Sequence, residues 1–230
     1  MTPDSKPAGP GDMAPASALP TRPSTLRKVR QIFDAARAVF LEFGYDASSM
    51  EVIAKQAGVS KATVYAHFTN KEDLFEALIR HECQNIRDSI YKPDPDTADV
   101  AGELRKMARN ITDLFIRQDG LALYRILVPV APRFPRLAAI FYREGPEIGR
   151  QTFATYLQEA ERQGRLTVPD AELAAEQFIA LIRGDLDLDS TLMAAPRAAE
   201  RIDALIDGGI RVFLSAYGPA ATPATPRAAD

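Results

Sequence analysis

The segment from Met50 to Lys71, MEVIAKQAGVSKATVYAHFTNK, constrains the fold more than any other part of the chain. Gly58 has the backbone freedom to end a first short helix in the left-handed region. Ser60 can then cap a second helix, in which Val64 and Phe68 lie four residues apart on one apolar face. This spacing predicts two short helices joined by a tight turn, which is a helix-turn-helix.

The outward face of the second helix is polar and basic. Lys61, Thr63, Tyr65 and His67 fall on this face, and each side chain can donate a hydrogen bond. Residues 52 to 71 include three lysines and no acidic residue. Phosphates and base edges are bound by positive charge and hydrogen-bond donors, so the segment predicts a DNA-binding surface. The alternative is a small helical core whose polar face is merely solvated.

Three stretches of this region together resemble the DNA-binding domain of the TetR/AcrR family of bacterial transcription regulators. They are AVFLEFGYDASSM, IAKQAGVSKATVYAHF and NKEDLFEAL, within residues 27 to 80. The resemblance implies that the second helix enters the major groove. The residues it implicates in DNA binding are Thr63, Tyr65 and His67 in the groove, Ser48, Ser49 and Lys71 at flanking phosphates, and Lys61 at a phosphate or a guanine. Ala66 departs from the family pattern, because many relatives carry a large aromatic residue or Arg there, and one possible backbone contact is lost.

Composition allows this function without requiring it. The chain has 230 residues and a net charge of -3, which is compatible with one or two helical domains and a local basic face. The single cysteine, Cys83, excludes an internal disulfide. We predict a partly buried helix residue there, with a redox sensor as the alternative. Without a long apolar run or a signal peptide, the protein is expected to be cytoplasmic and to have no membrane partner.

Composition shifts divide the chain into four parts. These are a disordered Pro-rich arm over 1–23, a helix-turn-helix DNA-binding domain over 24–82, a helical effector-binding and dimerisation domain over 83–217, and a disordered tail over 218–230. The arm contains six prolines and cannot bury a core. Arg22, Arg27, Lys28 and Arg30 at its end can contact phosphates or a minor groove; alternatively, the arm is a tether without contacts.

Apolar periodicity predicts helices in both domains and no strand of useful length, so the predicted fold class is all-α. Ser48 and Glu51 have capping-box spacing for helix two, and Asn70 can cap helix four. The first helix should end at Gly44. Its predicted range is 25–43, and the helices beyond the proline-rich break at 92–96 are predicted over 100–117, 121–130, 135–144, 147–163, 171–188 and 197–217.

The segment YRILVPVAPRFPRLAAIFYREGPE, residues 124 to 147, is similar to the C-terminal domain of TetR-type regulators of the AefR-like group. The resemblance implies a cavity that binds a small effector. Aromatic residues recur on successive predicted helices, and we expect most of them to be ordinary core. The candidates for the cavity wall are Phe115, Tyr124, Tyr142, Phe153, Tyr156 and Phe178.

The last two predicted helices carry long apolar stripes that are typical of an oligomer interface. Gly208 and Gly209 are costly in a helix interior unless another helix approaches closely, and a partner subunit would explain them. In the TetR family the last long helices of two subunits form a four-helix bundle. The stripes are Phe178, Leu181, Ile182 and Leu186, and then Ile202, Leu205, Ile206, Ile210, Phe213, Leu214 and Tyr217; the alternative is an intramolecular core.

No constellation in the sequence favours an enzyme. His67 and His81 lie on different segments without metal-binding spacing, and no phosphate-binding glycine loop is present. We predict no catalytic residue, no metal site and no cofactor. The predicted function is a ligand-responsive transcription repressor that binds a palindromic double-stranded DNA operator as a homodimer and is released by a small, largely apolar effector. The alternative is a helical ligand-binding or scaffold protein whose helix-turn-helix is only structural.

Overall fold

The computed structural model describes residues 23–117, 121–192 and 197–219, and helices dominate all three ranges. The all-α prediction is confirmed. The arm up to residue 22 and the tail from residue 220 lie outside the described residues. The helices are α1 Pro23–Ala47, α2 Met50–Gln56, α3 Lys61–Tyr65, α4 Lys71–Ser89, α5 Val100–Ile116, α6 Ala122–Leu127, α7 Pro135–Tyr142, α8 Ile148–Arg162, α9 Ala171–Arg183, α10 Leu186–Thr191 and α11 Ala199–Tyr217.

The first helix is interrupted where the sequence predicts its end. Gly44 has a φ of 76°, which a residue with a side chain rarely adopts. Phe43, the last residue of the range predicted for this helix, is 50% exposed. The turn at Gly44 brings Tyr45 into the core in its place, with the Tyr45 ring 5.6 Å from that of Phe40. The core beneath α1 is therefore completed by the residue after the turn.

Two hydrophobic clusters hold the helices together. The first joins α1, α2, α3 and α4 to α6 and α7 through residues such as Phe75, Leu127 and Leu137. The second joins α5, α8, α9 and α11 around Phe153 and Phe178. Helix α4 runs through the predicted domain boundary at residue 82, so it connects the helix-turn-helix directly to the remainder of the chain. No helix in the described ranges is both long enough and apolar enough to cross a membrane.

Two backbone features differ from the predicted helix boundaries. A single helix was predicted over 171–188, but Gly184, with a φ of 48°, separates α9 from α10. A break was predicted near Pro146, but a π-helical turn over Arg143–Glu147 contains this proline and joins α7 to α8. Both differences arise where local backbone geometry overrides the apolar pattern.

Candidate nucleic-acid interface

Side-chain caps position the two helices of the helix-turn-helix. The Ser49 hydroxyl accepts a hydrogen bond of 3.2 Å from the Val52 amide, and the Ser60 hydroxyl accepts one of 3.1 Å from the Thr63 amide. Gly58, with a φ of 65°, turns the chain between them. The predicted caps at Ser60 and Asn70 are confirmed. The predicted cap at Ser48 is wrong by one residue, because Ser49 caps α2.

Helix α3 presents the predicted polar face to solvent. Val64 is fully buried beneath it, whereas Tyr65 is 44% exposed. Thr63 and His67 are half-buried on either side of Tyr65. The Thr63 hydroxyl lies 2.8 Å from that of Ser60, a hydrogen bond that orients the side chain without removing it from the surface. The face can therefore offer three donors to a macromolecule lying against α3.

Lys61 forms an exposed ion pair with Glu51 of α2. The hydrogen bond to Glu51 raises the pKa of Lys61, and the same bond lowers the pKa of the Glu51 carboxyl. The ammonium also lies 5.6 Å from the centre of the Tyr65 ring. Exposed pairs of this kind contribute little free energy, so a DNA phosphate can compete with Glu51 for the lysine.

Ser48 and Lys71, by contrast, are bonded inside the protein. Ser48 is 5% exposed, and its hydroxyl donates to the Gly44 carbonyl at 2.5 Å. The Lys71 ammonium donates to the carbonyls of Tyr45, Asp46 and Ser48 at 2.6, 3.1 and 2.9 Å. Burial lowers the pKa of Lys71. These bonds favour a structural role for both side chains, and their phosphate contacts stay predictions.

Further positive charge lies on α1 and α2, the first two helices of the DNA-binding region. Arg27, Lys28 and Arg30 are exposed near the start of α1, and Lys55 is exposed on α2. A net charge of -3 for the whole chain therefore conceals local basic surface. Such surface attracts the DNA backbone through counterion release whatever the overall charge. Arg22 lies outside the described residues.

The fold and the exposed face of α3 define a helix-turn-helix DNA-binding protein of the transcription-regulator class. The profile of bacterial regulatory proteins of the tetR family matches residues 32–78, and that of the AefR-like transcriptional repressor C-terminal domain matches residues 102–219. The chain belongs to the TetR family. Both resemblances inferred from the sequence are thereby confirmed.

Solved structures agree with this assignment. The flavonoid-responsive regulator FrrA is 40% identical with a TM-score of 0.74, and the alignment covers 85% of this chain and 99% of FrrA. A putative TetR-family regulator from Mesorhizobium loti is 30% identical with a TM-score of 0.78, covering 84% of this chain and 98% of that one. Both alignments cover more than four-fifths of this chain.

Curated relatives match over shorter stretches. The transcriptional activator FasR of Mycolicibacterium smegmatis is 34% identical over 97 residues, and the fatty acid metabolism regulator protein of Bacillus subtilis is 38% identical over 88 residues. These alignments cover 42% and 38% of this chain. The chain spans less than half the length of these two relatives, 43% and 44%.

Helix α4 is tied to the π-helical turn by a charged cluster. Glu144 of the turn accepts from Arg80 of α4 at 2.6 Å and forms an ion pair of 3.2 Å with Arg87. Glu76 of α4 pairs with Arg80 at 3.1 Å and with Arg136 of α7 at 2.8 Å. No sequence pattern indicates this cluster, because its residues come together only when α7 packs on α4.

The predicted effector residues do not form one wall. Phe153 and Phe178 lie 4.9 Å apart between ring centres and pack with Phe213 in a closed aromatic core. The Tyr124 ring instead lies 6.1 Å from the ring of Phe141, which packs against the first cluster. Tyr142 is 50% exposed. Phe115 is half-buried on α5. The described structure therefore does not bring the six residues together around one cavity, because periodicity identifies apolar faces without identifying their partners; their role in effector binding stays a prediction.

Of these six residues, Tyr156 lines the cleft of about 640 Å³ between the segment at 92–95 and α8. It is 5% exposed, and burial raises its pKa to about 12. The rim of the cleft is polar, with Glu159 and Arg162 paired at 2.5 Å. The cleft is therefore a second candidate site, separate from the helix-turn-helix.

The apolar stripes predicted as an oligomer interface are mainly intramolecular. Phe178, Ile182, Ile206, Ile210 and Phe213 are buried inside the single chain. A Cβ on Gly209 would lie 3.2 Å from Ile182, so α9 of the same chain explains this glycine. These residues were predicted to contact a partner subunit because intramolecular and intermolecular helix packing produce the same apolar stripe along a helix.

Proposed function

We propose that this chain is a ligand-responsive repressor that binds a palindromic operator as a homodimer. The observation that carries the proposal is the exposed face of α3, where Thr63, Tyr65 and His67 lie above a buried Val64. The second helix of a helix-turn-helix recognises the major groove through hydrogen-bonding side chains on its outward face, and these three residues supply such donors.

Phosphate contacts would flank these base contacts. Ser49 lies at the N-terminus of α2, where the helix dipole and unpaired amides favour an anion. Lys61 can exchange Glu51 for a phosphate at little cost. Ser48 and Lys71 would contribute indirectly to DNA binding, by holding the backbone that precedes α2 in place. The Ser48 hydroxyl and the Lys71 ammonium are both bonded to carbonyls around the start of α2.

A different face of the last helices supports dimerisation. Ala204, Gly208 and Val212 recur every four residues on the solvent side of α11, and Val212 is 54% exposed. Small residues at this spacing allow close approach of another helix. Leu173 of α9, the helix that packs against α11, is a further exposed apolar residue at 47%. Two-fold pairing would place two α3 helices on one side, as a palindromic operator requires.

Repression, as opposed to activation, is supported by the match to the repressor C-terminal domain over residues 102–219. The activator FasR is also a relative, but only over 42% of this chain. We propose an aromatic, flavonoid-like effector, because the 40% identical regulator FrrA is flavonoid-responsive and its alignment extends over 85% of this chain. This chemistry fits the largely apolar effector expected from the sequence.

A mobility-shift assay of the full chain with the DNA upstream of its own gene tests the proposal. We expect a shift with wild-type protein, loss of the shift for Tyr65→Ala with His67→Ala, and release by a hydroxylated flavone. Val128→Ala, which alters an exposed residue after α6 and outside the helix-turn-helix, is the control. A shift that survives the double substitution would favour the alternative in which the helix-turn-helix is only structural.

A further inference from the structure

An exposed ion pair connects the two helices of the helix-turn-helix. Glu51 lies in the first turn of α2, Lys61 is the first residue of α3, and their side chains are paired. The Glu51 side chain is 53% exposed and that of Lys61 is 59% exposed. The Lys61 ammonium also lies 5.6 Å from the centre of the Tyr65 ring. The carboxylate is therefore held at the edge of the polar face of α3, where DNA is expected to bind.

The Glu51 carboxylate engages two of the groups that are expected to bind DNA phosphates. The hydrogen bond from Lys61 is the main cause that lowers the pKa of Glu51, and a hydrogen bond from the Ser49 hydroxyl lowers it further. Carboxylate and phosphate oxygens are both anionic acceptors, and the same ammonium and hydroxyl donors bind them. In the free protein, Glu51 therefore takes the place that a phosphate oxygen would take between these two donors.

The positive charge that this region offers to DNA is smaller than its lysine count suggests. Residues 52 to 71 contain three lysines. Lys71 is bonded to backbone carbonyls inside the protein, and Lys61 is paired with Glu51. Lys55 is exposed on α2. Since electrostatic affinity for DNA follows the number of phosphates that the protein neutralises, Glu51 offsets one of the two exposed lysines.

We propose that Glu51 is an internal competitor of the DNA phosphate, which holds Lys61 in the free protein and lowers the affinity for DNA. The inference rests on the proposed function, since it concerns the same DNA-binding surface. When a phosphate approaches Lys61, the carboxylate either leaves, so that the ion pair is lost, or stays, so that two anions share one ammonium. Both outcomes oppose binding. Glu51 is thus a positioning residue that acts on DNA through Lys61.

The size of the effect follows from the exposure of the pair. Exposed ion pairs are weak, so removal of the carboxylate should raise affinity by about 2- to 5-fold for each DNA-binding subunit. A dimer that contacts two half-sites would gain both factors, about 4- to 25-fold in total. Salt screens exposed charges, so this gain should be largest at low salt and should shrink as the salt concentration rises to about 0.3 M.

The test measures fluorescence anisotropy of the full chain on operator DNA and on an unrelated duplex of equal length, over a range of salt concentrations. Glu51→Gln should bind both DNAs more tightly, because phosphate contacts are independent of sequence. The gain from Glu51→Gln should shrink in a Lys61→Met background, since the carboxylate then has no lysine to withhold. Glu42→Gln makes the same charge change at an exposed position of α1 and is the matched control, which should bind as wild type.

Thermal melting verifies that the variants are folded, and Glu51→Ala provides a second variant that should also bind DNA more tightly. Wild-type affinity in both Glu51 variants at low salt would overturn the competition while leaving the proposed repressor intact. An equal gain with and without Lys61 would also overturn it, because the effect would then be general charge repulsion. Weaker binding by Glu51→Gln at one operator base pair would instead assign the carboxylate to a base contact. Absence of operator binding by wild type would refute the proposed function itself.

Discussion

The Lys71 ammonium lies 2.6 Å from the Tyr45 carbonyl oxygen and 4.5 Å from the centre of the Tyr45 ring. The first residue of α4 thereby fastens the turn that ends α1. The same Tyr45 ring lies 5.1 Å from Phe134, which precedes α7, and Asp46 pairs with Arg133 at 2.5 Å. The segment between the turn at Gly44 and α2 is consequently joined to the C-terminal helices by a second contact, in addition to α4.

Lys71→Met should destabilise the protein more than it alters electrostatic binding to DNA. It removes charge-assisted bonds to three carbonyls, and we expect a loss of about 1–2 kcal/mol because the ammonium is only half-buried. The melting temperature should fall by roughly 2–8 °C. Lys55→Met on the exposed face of α2 serves as the stability control. The slope of log affinity against log salt should stay unchanged; a fall of about one unit would assign Lys71 to a phosphate.

Substitutions on α3 should separate affinity from sequence preference. Tyr65→Phe removes one exposed hydroxyl, which we expect to donate to a phosphate at the edge of the groove, so operator affinity should fall about 2- to 10-fold on all sequences alike. Thr63→Val removes a hydroxyl at the groove, so preference should relax at one base position. Binding to a library of operator variants measures both effects, with Tyr142→Phe, far along the chain on α7, as control. A uniform loss for Thr63→Val would exclude its base contact.

Local signals in the sequence predict the helix-turn-helix well. Gly44, Gly58, Ser60 and Asn70 each act through their own backbone or through an amide three residues away, so position in the chain is sufficient. The outward placement of Tyr65 follows from the same short-range periodicity. These elements were therefore accessible without knowledge of the tertiary structure.

Long-range packing explains what the sequence could not predict. Lys71 and Ser48 are polar and look available for DNA, but carbonyls at the end of α1 bind both of them. Phe153 and Phe178 were candidates for the wall of a ligand cavity, but their rings pack against each other and fill the space between the helices. The pairing of Glu144 with α4 needs a π-helical turn that no periodicity signals. In each case the partner is distant in sequence.

Dimerisation should depend on the outer face of α11 and not on the buried stripes. Val212→Glu places a charge on an exposed apolar residue, so the monomeric fold should survive while the dimer dissociates. Sedimentation velocity at micromolar concentration should show monomer for Val212→Glu and dimer for wild type. Val128→Glu, at a 42% exposed apolar position elsewhere, is the control. A Val212→Glu dimer of wild-type strength would exclude this face.

The buried Glu103 carboxylate should make stability depend on acid pH. Burial acts to raise its pKa, but bonds from Lys106, Tyr91 and the Asp94 amide outweigh burial and lower it. A lowered pKa in the folded state stabilises the protein above the unfolded pKa of about 4.3, and this contribution is lost as the pH falls through the folded value. Wild type should therefore melt above Glu103→Gln at pH 7, and the difference should shrink towards pH 3. A difference independent of pH would contradict the ionised state of Glu103.

The central claim, a dimeric reader of inverted DNA half-sites through α3, is tested most directly by fluorescence anisotropy. The full chain is titrated onto a labelled palindrome from its upstream region and onto the same DNA with one half-site scrambled. We predict saturation at two chains per palindrome, affinity at least about 10-fold weaker for the scrambled site, and loss of this discrimination in the Tyr65→Ala, His67→Ala variant. Equal affinity for both DNAs, or discrimination that survives in the variant, would contradict the account.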